Sequence, residues 1–324
     1  MKNIISSDLK TILHSKRANI YYLEYCRVLV NGGRVEYVTD EGSQSLYWNI
    51  PIANTTTILL GNGTSVTQAA MRELSKAGVM VGFCGGGGTP LYNSTEGDVD
   101  VQWFSPQSEY RPTEYLQCWF QLWLSEEKRL IAAKKLVELR IDFIKKTWTN
   151  KKRTFDGDFC FETPTLLVEL DQYRLDIKAA KTIMEIFSIE ARFTKHLYKM
   201  VSLIVNYNSF KRVKQGEGKD PANKNLDYGN YLAYGLGATA TWVLGLPHGL
   251  SMLHGKTRRG GLVFDAADLV KDALVLPQAF ISAVQGHSDQ EFRVSCIRNF
   301  LNNEALDYMI DSLKDIAKIQ EVLP

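Results

Sequence analysis

Residues 115–147 read YLQCWFQLWLSEEKRLIAAKKLVELRIDFIKKT. Apolar side chains recur at three- and four-residue intervals, with Lys and Glu on the other face, the period of an amphipathic helix. From about Arg111 onward this period dominates. It predicts helices over residues 164–206 (two of them, the second through 186–207), 227–244, 264–285 and 288–319, with a polar break at 150–154. Residues 209–225 hold Gly216, Gly218, Pro221 and many charges, which predicts an exposed loop. The chain before Arg111 reads differently. Residues 18–30 are rich in Tyr, Val, Ile and Leu; Asn31-Gly32-Gly33 suits a tight turn, and 34–38 resumes the alternation, which predicts a hairpin. Further strands are expected at 44–52, 55–60 and 79–84, and one helix over 65–77. The expected fold class is α+β: a small β-rich N-terminal domain, 1–106, then a larger all-α C-terminal domain, 107–324.

The chain has 324 residues, 45% hydrophobic and 23% charged, a globular balance that excludes global disorder. Its five cysteines (Cys26, Cys84, Cys118, Cys160, Cys296) are scattered with no CxxC pair, so a disulfide framework and a thiolate zinc site are both poor readings. No apolar stretch of signal-peptide length opens the chain, and a cytoplasmic location is expected. Residues 228–255 carry no Asp, Glu, Lys or Arg. Their six glycines and Pro247 fit a buried helix followed by a turn, and no membrane span is expected. The run Gly85–Gly88 is not followed by a helix start or a Lys-Ser/Thr pair, so a hairpin tip is expected rather than a phosphate loop.

Net charge is only +2, but it is uneven. Residues 107–260 hold 25 Lys and Arg against 17 Asp and Glu, whereas 261–324 hold 5 against 10. Within 192–224 lie eight bases (Arg192, Lys195, Lys199, Lys211, Arg212, Lys214, Lys219, Lys224) and two acids; Lys256, Arg258 and Arg259 form a second cluster. Such clusters suit a polyanion, although a solvated helix face explains charge alone equally well.

Four residues stand out for chemistry. Glu190 follows an apolar stretch (Ile183, Met184, Ile186, Phe187, Ile189), where an unpaired carboxylate is costly. A metal ion or an arginine would supply its partner; a surface pair with Arg192 or Lys195 is the plainer alternative. His254 follows the glycine-rich run, with His248 its neighbouring competitor. Asp265 and Asp268 share a helical face, though acids at a helix start also serve as caps. Two or three carboxylates and one imidazole, flanked by basic clusters, suit Mn²⁺ or Mg²⁺ rather than a structural Zn²⁺.

Taken together, Ile189-Glu190-Ala191-Arg192, Asn225-Leu226-Asp227-Tyr228-Gly229 and Leu253-His254-Gly255 followed by Leu262-Val263-Phe264-Asp265 and Asp268 resemble the CRISPR-associated adaptation integrase family. So do the N-terminal segment 59–66 and the turn at Ala77-Gly78. The length and the Gly85–Gly88 run resemble its subtype I-F branch. The family often has Asn or Ser where this chain has Asp227. The resemblance implies an N-terminal dimerisation domain and a C-terminal catalytic domain. It implies Glu190, His254 and Asp268 as ligands of Mg²⁺ or Mn²⁺, with Asp265 a nearby catalytic carboxylate. It implies an endonuclease that inserts spacers into a CRISPR array by attack of a 3′-hydroxyl on a repeat phosphodiester. Arg192, Lys211, Arg212, Lys214, Lys224, Lys256, Arg258 and Arg259 are DNA-contact candidates by charge and placement. Implied partners are double-stranded and branched DNA, a second copy of the chain, and a second adaptation protein that in subtype I-F is fused to a helicase-nuclease. A repair nuclease acting on branched DNA and a non-catalytic DNA-bending scaffold are the competing readings.

Overall fold

The strand Thr55–Leu60 (TTTILL) is buried at every position. A strand covered on both faces needs no polar alternation, and β-branched residues suit its extended backbone. It is β5 of a computed structural model that describes residues 17, 19–41, 44–83, 102–104, 112–149, 155, 159, 164–207, 210–213, 220–255, 258 and 260–321. The chain divides into two compact units, residues 1–110 and 111–324.

The first unit holds β1 (Asn19–Leu23), β2 (Arg27–Asn31), β3 (Arg34–Glu41), β4 (Gln44–Asn49), β5, β6 (Ser65–Val66), α1 (Gln68–Lys76), β7 (Met80–Phe83) and β8 (Gln102–Phe104). They form two four-stranded sheets, ordered β1-β5-β7-β8 and β4-β3-β2-β6. In the first, β5 lies parallel to both β1 and β7. Val28, Val35, Ile58, Leu60, Ala70, Leu74 and Val81 meet in this unit's core. The predicted hairpin forms between β2 and β3 across Gly32 (φ 54) and Gly33 (φ 80), the positive angles that a two-residue turn requires. The run 18–30 is not one strand, however. Tyr25 takes φ 48 and splits it, sending β1 to one sheet and β2 to the other. Backbone bonds from Tyr25 N to Asn62 O and from Gly61 N to Leu23 O stitch the corner. The helix expected from 65 starts later, capped by Thr67, because Ser65–Val66 pairs with β2.

The second unit is helical: α2 (Glu114–Leu124), α3 (Glu126–Trp148), α4 (Pro164–Ala179), α5 (Ile183–Ile204), α6 (Pro221–Val243), α7 (Gly261–Gln285), α8 (Asp289–Asn302) and α9 (Ala305–Ala317). The periodic stretch 115–147 is two helices, broken where Ser125 turns extended and caps α3 through Lys128 N. Likewise 288–319 breaks at Glu304, which takes φ 52. The loop expected over 209–225 ends early: Asp220 caps α6, Pro221 opens it, and Asn223 and Asn225 are buried. Helix α7 is the centre of this unit. Every residue from Gly261 to Ser282 except Lys271 is buried. Pro277 cannot donate to the Ala273 carbonyl one turn back, and Trp148 Nε1 takes that acceptor at 2.8 Å. Gly229 of α6 lets the two helices approach, since a Cβ there would lie 2.3 Å from Val275 Cγ1.

No described helix is long and apolar enough to cross a membrane. The Gly85–Gly88 run, the break at 150–154, Cys84, Cys160, Lys214, Lys219, Lys256 and Arg259 lie outside the described residues.

Candidate active site

Helix α7 carries Asp265, Asp268 and Asp272 at spacings of three and four, which aligns them along one face. Because the helix begins at Gly261, Asp265 lies beyond the first turn and does not cap it, contrary to the plainer sequence reading. Its carboxylate instead gathers the preceding loop. It accepts hydrogen bonds from Ser251 Oγ (2.9 Å) and from the backbone N–H groups of Met252 (2.7 Å), Leu253 (3.1 Å) and His254 (3.1 Å).

The same carboxylate lies 2.7 Å from His254 Nδ1. In the neutral tautomer that donates its Nδ1 proton there, Nε2 carries the lone pair; Asp268 Oδ2 is 3.7 Å from Nε2. Among the described residues, that oxygen accepts no hydrogen bond. Phe187 and Phe264 flank the imidazole, each with ring centroids at 5.9 Å. Burial lowers the imidazole pKa, but the Asp265 hydrogen bond and the Asp268 and Asp265 charges outweigh it, and the net shift is upward. His248, the alternative histidine, accepts a backbone bond from Leu262 N through its carbonyl.

Glu190 does not form a surface pair with Arg192 or Lys195. It pairs with Arg140 of α3, which also binds Asp272 and donates to Thr194 Oγ1. Burial raises the Glu190 pKa, opposed by Arg140. Asp268 pairs with Lys271. Its burial alone would raise its pKa, but the charges of Lys271, His254 and Arg140 bring it down to about 2.

The donor types, carboxylates and one imidazole, suit a divalent cation. Four carboxylates (Glu190, Asp265, Asp268, Asp272) face two permanent cations, Arg140 and Lys271. Among the described residues, those acids outnumber the permanent cations, in surroundings where uncompensated charge is costly. A histidine whose far nitrogen is held by a carboxylate is the usual support of a metal-facing imidazole. The three expected ligands are not closed into a set, however. Among the described residues, no group of three His, Cys, Asp or Glu side chains is arranged to hold a metal ion; Glu190 is turned to Arg140.

A family model described as CRISPR associated protein Cas1 matches residues 24–314. The chain belongs to the Cas1 family. It is 59% identical over 318 residues to the CRISPR-associated endonuclease Cas1 of Pseudomonas aeruginosa strain UCBPP-PA14, covering 98% of each chain. Among solved structures, the TtCas1–DNA complex matches with a TM-score of 0.61 at 18% identity, over 92% of this chain and 91% of the other. A casposase bound to its integration product matches with a TM-score of 0.59 at 15% identity, over 92% and 82%. At these identities the structures speak for the shared fold.

In this Cas1 family member the basic DNA-contact candidates separate. Arg258 is exposed and stacks 3.8 Å over Phe264, the ring that also flanks His254. Lys211, Lys224 and Arg192 are exposed, Arg192 with Asp176 at 3.7 Å. Arg212 is engaged otherwise: it binds Asn223 Oδ1 and Asp227 Oδ1, fastening the segment before α6 to that helix. Asp227, the family departure, therefore has an arginine for its partner. Sequence reasoning missed Arg140, Lys271 and Asp272. The available signal was Arg140 itself, a charge at the helical spacing of Leu136, Val137, Ile141 and Ile144.

Proposed function

We propose that the chain is a metal-dependent DNA endonuclease and integrase that inserts new spacers into a CRISPR array, with Glu190, His254 and Asp268 holding Mg²⁺ or Mn²⁺. The observation that carries this reading is the imidazole held 2.7 Å from Asp265 and 3.7 Å from Asp268 in a buried cluster of carboxylates. When bound, the cation supplies Lewis-acid stabilisation to the scissile phosphate. The protein's own groups do the rest. Asp265 fixes the tautomer and orientation of His254. Arg140 holds Glu190 and Asp272 in place, and Lys271 neutralises Asp268 beside the reacting phosphate. Arg258, exposed at the His254–Phe264 edge, positions the nucleic-acid backbone. In transesterification, the 3′-hydroxyl oxygen of the incoming strand loses its proton and forms a bond to phosphorus while the bond to the repeat strand's leaving oxygen breaks, and that oxygen takes up a proton as the new hydroxyl.

Several observations support the wider assignment. The 59% identity over 98% of the Pseudomonas relative favours the subtype I-F branch. Structural likeness to a Cas1 protein solved with DNA and to a casposase solved with its integration product favours double-stranded and branched DNA as substrates. A second copy of the chain and a second adaptation protein, fused to a helicase-nuclease in this branch, complete the proposed assembly. Substituting His254→Ala is expected to abolish Mn²⁺-dependent strand transfer into a repeat-containing plasmid while leaving the helical circular-dichroism signal intact. Full strand transfer by that variant would remove His254 from the chemistry.

A further inference from the structure

The loop that delivers His254 is gripped on both sides. Its N–H groups at Met252, Leu253 and His254, with the Ser251 hydroxyl, converge on Asp265. Its carbonyls are held by two residues from different helices. Trp119 Nε1 of α2 donates to Leu250 O at 2.7 Å, and Arg129 Nε of α3 donates to Met252 O at 2.9 Å. Trp119 is 0% exposed and Arg129 6%. Neither residue sits among the carboxylates.

We propose that Arg129 and Trp119 are positioning residues for His254, clamping residues 250–252 so that the imidazole meets Asp268 at the distance a shared cation requires. This rests on reading Glu190, His254 and Asp268 as the cation site. The physical case is geometric. The peptide group joining Met252 to Leu253 is bonded at both ends, its carbonyl to the Arg129 guanidinium and its N–H to the Asp265 carboxylate. Bonds to charged partners are the stronger kind, and each end limits rotation of the unit that leads into His254. Asp265 alone sets the imidazole's tautomer and tilt. Its partners are the loop's N–H groups and the Ser251 hydroxyl, which leaves the loop's carbonyls to be held by other residues. The carbonyl bonds from α2 and α3 supply a second constraint. The Arg129 guanidinium reaches Glu126 Oε2 at 3.4 Å through its other end, so α3 holds it in place while its Nε holds the loop.

The test measures Mn²⁺ binding directly, by calorimetry and by the loss of the free-ion electron paramagnetic resonance signal, on the full chain below its melting temperature. Three variants are compared with the parent: Trp119→Phe, which keeps the ring and deletes the donor; Arg129→Lys; and His254→Ala. Loss of an outer partner of a metal ligand typically weakens binding by about 10–100-fold. Trp119→Phe and Arg129→Lys are expected to shift Mn²⁺ affinity down by about that range, while excess Mn²⁺ restores most of kcat in strand transfer. A purely structural role would lower the melting temperature and leave the Mn²⁺ dissociation constant unmoved. If both folded clamp variants bind Mn²⁺ as the parent does, while His254→Ala does not, the clamp is overturned and the cation site stands. If the parent binds no Mn²⁺, or His254→Ala binds it equally well, the site reading falls and the clamp's purpose with it. Should Arg129→Lys fail to fold, Trp119→Phe alone decides the clamp.

Discussion

Arg140, 2% exposed, lies between Glu190 and Asp272. Breaking a buried ion pair by removing one partner costs about 3–5 kcal/mol, because the surviving charge stays buried. Arg140→Met is therefore expected to lose stability in that range by urea denaturation; a loss below 1 kcal/mol would mean that the two acids find other partners. This residue was half legible in the sequence: an arginine on an apolar helical stripe announces a partner without naming it, since the partners come from α5 and α7, remote along the chain. Asp220 offers a test that depends on pH. Its carboxylate accepts from Asn223 Nδ2 and Asn223 N at the start of α6. Slight burial raises its pKa, but those hydrogen bonds outweigh burial and hold it below the usual value. A folded-state pKa below the unfolded one gives stability that is full above the unfolded value and lost as pH falls through the folded one. Asp220→Ala should cost about 1 kcal/mol at neutral pH. The gap to the parent should close in acid below the carboxylate range, as read by thermal unfolding at both pH values; a gap that stays constant would mean the cap is not acting through its charge.

At the scale of elements, Gly229 sets how closely α6 and α7 pack. A methyl group there would meet Val275 Cγ1 at 2.3 Å and Phe292 Cζ at 3.1 Å. Overpacking a core typically costs about 1–3 kcal/mol, so Gly229→Ala is expected to destabilise the helical unit by that amount in chemical denaturation. Parent-like stability would show that the helices can slide apart freely. Element type was largely readable, because the period of apolar residues reports which face is covered. Element ends were not. Ser125 divides a stretch whose hydrophobic period runs on through it, and the break is visible only as a capping serine ahead of Glu126 and Glu127. Tyr25 divides a strand-like run with no glycine or proline to mark the corner, because the angle is stabilised by backbone bonds to residues 61 and 62. Residues 220–225 looked like loop for their polar composition, yet the buried Asn223 earns its place by bonding Lys211 O, Arg212 and Asp220, partners that no local pattern reveals.

For the whole molecule, the proposed cation site links stability to metal binding. A ligand that binds only the folded state at 100 times its dissociation constant adds about 2.7 kcal/mol. Mn²⁺ at that excess is expected to raise the unfolding temperature of the parent and not of Asp268→Ala, and a chelator should reverse the gain; equal gains in both would place the stabilising ion elsewhere. Glu190, His254, Asp265 and Asp268 could be singled out from the sequence, whereas Asp272 was not. Their present arrangement was not legible, since Arg140 and Lys271 reach them only in the assembled fold.

Helix α7 is enclosed at all but one position from Gly261 to Ser282. Its amide protons can meet solvent only when the surrounding helices part, so they belong with the slowest-exchanging hydrogens in this unit. Three of the four acids ride on that helix. No local breathing releases them; they exist as a constellation only while the entire helical body holds together.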